Sequence, residues 1–71
     1  MKVCVIGMGH IGNLHADIYQ EDESVELAGV CDILAERAEK AGERLGVPWY
    51  LDARQMLDDV RKRMNDVIQS I

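Results

Sequence analysis

The feature that most constrains this chain is a glycine-rich turn, Gly7-Met8-Gly9-His10-Ile11-Gly12, placed directly after the apolar run Val3-Cys4-Val5-Ile6. A continuous β-branched run of that kind reads as a strand buried on both faces, and such strands belong to parallel sheets. Beyond the turn, Ile11, Leu14, His15 and Ile18 recur at spacings of three and four, which marks one face of a helix. GxGxxG between a strand and a helix is a phosphate cradle. Gly7 permits the tight turn, Gly9 lets the backbone approach a pyrophosphate, and Gly12 lets the helix pack closely on the strand. The unpaired N–H groups of the first helical turn and the helix dipole then attract the anion. The plainer alternative is an ordinary strand-to-helix turn. The pattern is weak alone and takes its weight from its context.

Val25-Glu26-Leu27-Ala28-Gly29-Val30-Cys31 reads as a second strand, closing on Asp32. A helix rich in Ala, Glu, Arg and Lys follows from about Leu34 to Leu45, with Gly46 placed as a C-terminal cap. Val47-Pro48-Trp49-Tyr50 is a short edge strand, since proline is confined to strand starts and edges. The predicted fold is therefore α/β, a βαβαβ half of a Rossmann fold over residues 1–51. Its three-stranded parallel sheet has order 3-2-1, with both crossover helices on one side.

Asp32 lies twenty residues after Gly12, at the end of the second strand. A carboxylate there accepts hydrogen bonds from the adenosine ribose hydroxyls and repels a 2′-phosphate, so the expected cofactor is NAD rather than NADP. The structural alternative is an N-cap for the segment beginning near Ile33. Arg37, five residues on, is expected on the solvated face of the second helix.

The net charge of −5 argues against nucleic-acid affinity, which needs Lys and Arg against phosphates. No apolar run approaches the roughly 20 residues of a membrane span. The first residues go straight into a strand pattern with no secretory cleavage site. Cys4 and Cys31 form neither a CxxC nor a metal spacing, so two buried free thiols and a cytoplasmic location are expected.

Val3 through Ala16 with its GxGxxGxxH spacing, Leu27-Ala28-Gly29-Val30-Cys31-Asp32, the Ala-rich helix and Trp49-Tyr50-Leu51-Asp52 resemble the N-terminal domain of the glucose–fructose oxidoreductase / inositol dehydrogenase (Gfo/Idh/MocA) oxidoreductases. The resemblance implies that Gly7, Gly9 and Gly12, with the backbone at Met8, His10 and Ile11, contact pyrophosphate, and that Asp32 holds the adenosine ribose. It implies a structural role for His15. It also implies a parent chemistry of hydride transfer between nicotinamide and a sugar, polyol or similar alcohol. The family's fourth strand and catalytic lysine find no match after Leu57, so the second mononucleotide half and catalysis are expected to be missing.

Ala53, Leu57, Val60, Met64, Val67 and Ile71 are spaced four, three, four, three and four. That stripe predicts an amphipathic helix over 52–71, capped by Asp52. A helix of that length spans about 28 Å, longer than a small sheet needs. Without a fourth strand, the first would be an open hydrophobic edge. Both features predict a homodimer. Two functions follow: an NAD-binding fragment of an oxidoreductase, inactive alone, or a non-catalytic assembly domain that uses the half-fold as scaffold.

Overall fold

The structure is a computed structural model describing residues 1–63 and 67–70. Strand β1 (Lys2–Ile6) leads through the glycine turn into helix α1 (His10–Glu21), followed by β2 (Glu26–Cys31), α2 (Ala35–Leu45), β3 (Trp49–Tyr50), α3 (Ala53–Arg63) and β4 (Val67–Ser70). The strands form one parallel sheet of order β3-β2-β1-β4. The predicted 3-2-1 arrangement is present, with a further strand added beside β1.

That strand corrects the expected C-terminal helix. The helix ends at Arg63 instead of running to residue 71, and Val67–Ser70 pair with Lys2–Val5. Of the apolar stripe, Ala53, Leu57 and Val60 lie on α3, Val67 lies in β4, and Met64 and Ile71 fall outside the described residues. The physical reason is the edge itself. An unpaired β1 would present a row of unsatisfied N–H and C=O groups, and a β-branched pair such as Val67-Ile68 satisfies them better as strand than as helix. A long overhanging helix and an open β1 edge, the two grounds for expecting self-association, are both removed.

The core has two layers. Val3, Val5, Met8, Ala16, Leu27, Val30, Ala41 and Leu45 pack between the sheet and the α1–α2 pair. Cys4, Ala28, Cys31, Met56 and Val60 pack between the opposite face and α3. β1 and β2 keep both faces buried despite a register shift. Val3 pairs with Leu27, but Cys4 pairs with Gly29, so β2 carries one extra residue there. Gly46 ends α2 in the left-handed conformation (φ 69°), and its N–H returns to the Gly42 carbonyl. Asp52 caps α3, its Oδ1 accepting from the Arg54 N–H at 2.8 Å.

Both cysteines are buried, and neither is in a disulfide. Burial, reinforced by the carboxylates of Asp32 and Asp52, pushes the Cys31 thiol above its ordinary range. Neither thiol is therefore expected to react with a maleimide in the native protein at mildly alkaline pH, while both should react once guanidinium unfolds it. Labelling of Cys31 in the native state at the rate of an exposed cysteine would contradict this burial.

Candidate dinucleotide-binding site

The turn between β1 and α1 is built from below by a side chain and from the side by an acid. Gly7 takes φ +90°, a conformation that costs glycine little, and its N–H donates to the Cys31 carbonyl at 2.7 Å. The chain can then drop the Met8 side chain into the core, where it is only 2% exposed. Gly12 sits against the turn so closely that a Cβ there would lie 1.7 Å from the Gly7 carbonyl oxygen. This is the close helix–strand approach expected of the third glycine.

Gly9 is the N-cap of α1, with extended backbone and no side-chain cap bond. A Cβ built on Gly9 meets only the Arg37 guanidinium, at 3.5 Å, so the space above this peptide is open. No acidic residue occupies the first turn. His10, Ile11 and Gly12 are the first residues of α1 and have no preceding helical carbonyl to accept their N–H groups. They form an anion cradle with a donor set suited to a diphosphate.

Asp32 is brought directly to this turn. The end of β2 is held on both sides, by the Gly7 bond to Cys31 and by the Asp32 N–H to the Tyr50 carbonyl at 3.1 Å. The Asp32 carboxylate is 7% exposed and accepts two backbone N–H bonds. Oδ2 takes Met8 N–H and Oδ1 takes Leu34 N–H, each at 2.8 Å. The Leu34 bond is the local turn foreseen as the structural alternative, and it coexists with the contact across to the glycine turn. An ionised carboxylate offers about four acceptor positions, so two remain beyond these backbone bonds.

One expectation is corrected here. The Met8 N–H, expected on the pyrophosphate, is directed to Asp32, because the Met8 side chain is drawn into the core and its peptide turns with it. Arg37 lies on the solvated face of α2, as expected, and its guanidinium lies beside Gly9. It lies along a groove between α1 and α2 that is also lined by Met8, Asn13, Lys40, Ala41 and Arg44. A long, flexible Arg side chain can reach the turn from that solvated position.

Asn13 is the residue that sequence reasoning missed. Its Nδ2 donates to the carbonyls of Met8 at 2.8 Å and Gly9 at 2.9 Å. A polar amide immediately after the last glycine of the turn was the available signal. His15 is half-buried on α1, and its Nδ1 is buried without a hydrogen-bond partner among the described residues.

A parallel sheet with a glycine turn at a helix N-terminus and an acid closing the second strand defines a dinucleotide-binding domain of the Rossmann class. Residues 1–68 match the oxidoreductase family with an NAD-binding Rossmann fold, Gfo/Idh/MocA, and the chain belongs to that family. It is 32% identical over 60 residues to a myo-inositol 2-dehydrogenase of Thermotoga maritima, a match covering 83% of this chain and 18% of that protein. Among solved structures, a probable dehydrogenase from Thermotoga maritima superposes with a TM-score of 0.80 at 27% identity, covering 97% of this chain and 20% of the other. An NAD-binding protein from Listeria innocua gives 0.72 at 26% identity, covering 99% and 20%. The chain spans about a fifth of the length of these relatives.

Proposed function

We propose that this chain is the ADP-ribose-binding half of an NAD-dependent dehydrogenase whose whole protein transfers hydride to or from a sugar- or polyol-type alcohol. The observation that carries this reading is the Asp32 carboxylate bonded to the Met8 amide, which puts a sugar acceptor beside the open α1 amides. In this arrangement the first-turn amides hold the diphosphate and the free lone pairs of Asp32 take the adenosine ribose hydroxyls. Ile33, 87% exposed next to Asp32, offers an apolar edge to the purine. The bound nicotinamide dinucleotide would supply the hydride chemistry, and no residue of this chain is assigned to catalysis. The inositol dehydrogenase relative supports an alcohol of the polyol class. The buried thiols suit a reducing, cytoplasmic setting.

Titration of NAD, ADP-ribose and NADP, followed through backbone amide signals, tests the reading. NAD and ADP-ribose should bind alike, since the residues in question touch only their shared half, and both should move the signals of Gly9 through Gly12. NADP should bind more weakly, with Arg37 offsetting part of the repulsion between Asp32 and the extra phosphate. Glycine-turn signals that stay still under saturating ADP-ribose would rule the reading out.

A further inference from the structure

We propose that Asn13, held by Arg44, is a positioning residue that aims the amides of the glycine turn at the diphosphate; this rests on the dinucleotide-binding reading above. The network starts on α2. Arg44 donates through Nη1 to Asp17 Oδ1 at 2.6 Å and through Nη2 to Asn13 Oδ1 at 2.7 Å. Arginine has only donors, so this bond fixes which way the Asn13 amide faces. Oδ1 points to Arg44, and Nδ2 must point to the turn. There it takes the carbonyls of Met8 and Gly9 together.

The consequence lies in the peptide planes. Each peptide of the turn is trans, so its C=O and the following N–H point in opposite directions. Anchoring the Met8 carbonyl on Asn13 turns the Gly9 N–H away from Asn13. The Gly9 carbonyl also accepts the Asn13 backbone N–H at 3.0 Å, so the His10 N–H is aimed by the helix's first bond and by the side chain together. Both amides then face the open side above Gly9, where a Cβ would find nothing but the Arg37 guanidinium. Donors fixed in place before an anion arrives need no reorientation on binding, which is where preorganisation gains affinity. Asn13 touches no ligand in this arrangement. It acts through the two peptides it holds, and Arg44 acts through Asn13.

The Arg44–Asp17 pair is half exposed on both sides and adds little to stability as a surface ion pair. Its geometric role is the informative one. It spans α1 and α2, so helix packing and turn geometry are set together.

The test uses the full chain, with Asn13→Ala and Arg44→Gln as variants. In ligand-free protein, residual dipolar couplings should report a changed N–H direction at Gly9 in both variants, while His10, whose peptide keeps its backbone bond, and β1 stay closer to wild type. In titrations, Asn13→Ala should lower ADP-ribose affinity about tenfold, the scale of one well-placed hydrogen bond. Adenosine, which reaches Asp32 but not the turn amides, should keep its affinity. Unchanged couplings, or an unchanged ratio of ADP-ribose to adenosine affinity, would overturn the proposal. If wild type bound neither ligand, the dinucleotide reading would fail, and the couplings alone would decide the positioning role. Should Asn13→Ala not fold, Arg44→Gln decides, since it leaves the Asn13 side chain in place and removes its anchor together with the half-exposed Asp17 pair, which adds little to stability.

Discussion

Replacing Gly12 with alanine should lower the unfolding midpoint by the largest margin of any single change in the turn, whereas Gly9→Ala should fold normally and bind ADP-ribose at least a hundredfold more weakly. Both glycines stand in the same turn, and the contrast comes from what surrounds them. A Cβ on Gly12 would lie 1.7 Å from the Gly7 oxygen and 2.9 Å from the Gly7 carbonyl carbon. Those are backbone atoms, and Gly7 is itself pinned to Cys31. Relief requires α1 to move off the sheet, which costs roughly 3 kcal/mol or more by analogy with overpacked cores. A chain of 71 residues has only about 4 to 10 kcal/mol to lose. Gly9 has φ −77°, which any residue adopts, and its nearest neighbour would be a mobile guanidinium at 3.5 Å. The methyl group is tolerated by the protein and stands where the proposed diphosphate would approach. Two charge-assisted hydrogen bonds lost at about 1.5–3 kcal/mol each account for the expected fold-change. Urea unfolding followed by Trp49 fluorescence reads the first effect. Trp49 is the single tryptophan and packs against Gly42. A Gly12→Ala midpoint equal to wild type would mean that the turn yields without cost, and the close-approach argument would be lost.

What could be read from the chain beforehand was what local chemistry decides. β1, the glycine turn, α2 with its Gly46 cap and the Asp52 cap of α3 each depend on residues within a few positions of one another, and each is present. The fourth strand depended on something farther away. Val67 and Ile68 fit the end of a helical stripe as well as a strand, and only the demand of β1 for a partner, more than sixty positions earlier, decides between them. The extra residue in β2 is equally invisible, since both faces of that strand are apolar and a slip leaves no mark in the pattern. At the site, residue types foretold Asp32 and the glycines. Its pairing with the Met8 amide, the Asn13 clamp and the return of Arg37 to Gly9 all need α1 and α2 to be placed first. That placement rests on contacts such as the Gln20 side chain donating to the Leu45 carbonyl, which no periodicity encodes.

Asp32→Asn should weaken NAD and ADP-ribose at least a hundredfold, lower stability measurably, and shift the NAD-to-NADP preference toward NADP. The three effects come from one buried group with two occupations. Its carboxylate oxygens take the Met8 and Leu34 amides, and their remaining lone pairs are what a ribose would use. An asparagine has one oxygen and one NH₂, so one of the two backbone N–H groups would face a donor. A buried donor left unpaired costs about 1–3 kcal/mol. For the ligand, the loss is of bonds to a charged acceptor, each worth about 1.5–3 kcal/mol. For NADP the loss is partly repaid, because the negative charge that repels a 2′-phosphate is gone while Arg37 remains beside Gly9. The stability and affinity effects separate by experiment, since binding is measured at a temperature where the circular dichroism of the variant matches wild type. An Asp32→Asn protein that unfolds early yet binds NAD as wild type does would assign Asp32 wholly to the fold. One that binds NAD poorly but still rejects NADP to the same degree would place the discrimination on some group other than this carboxylate.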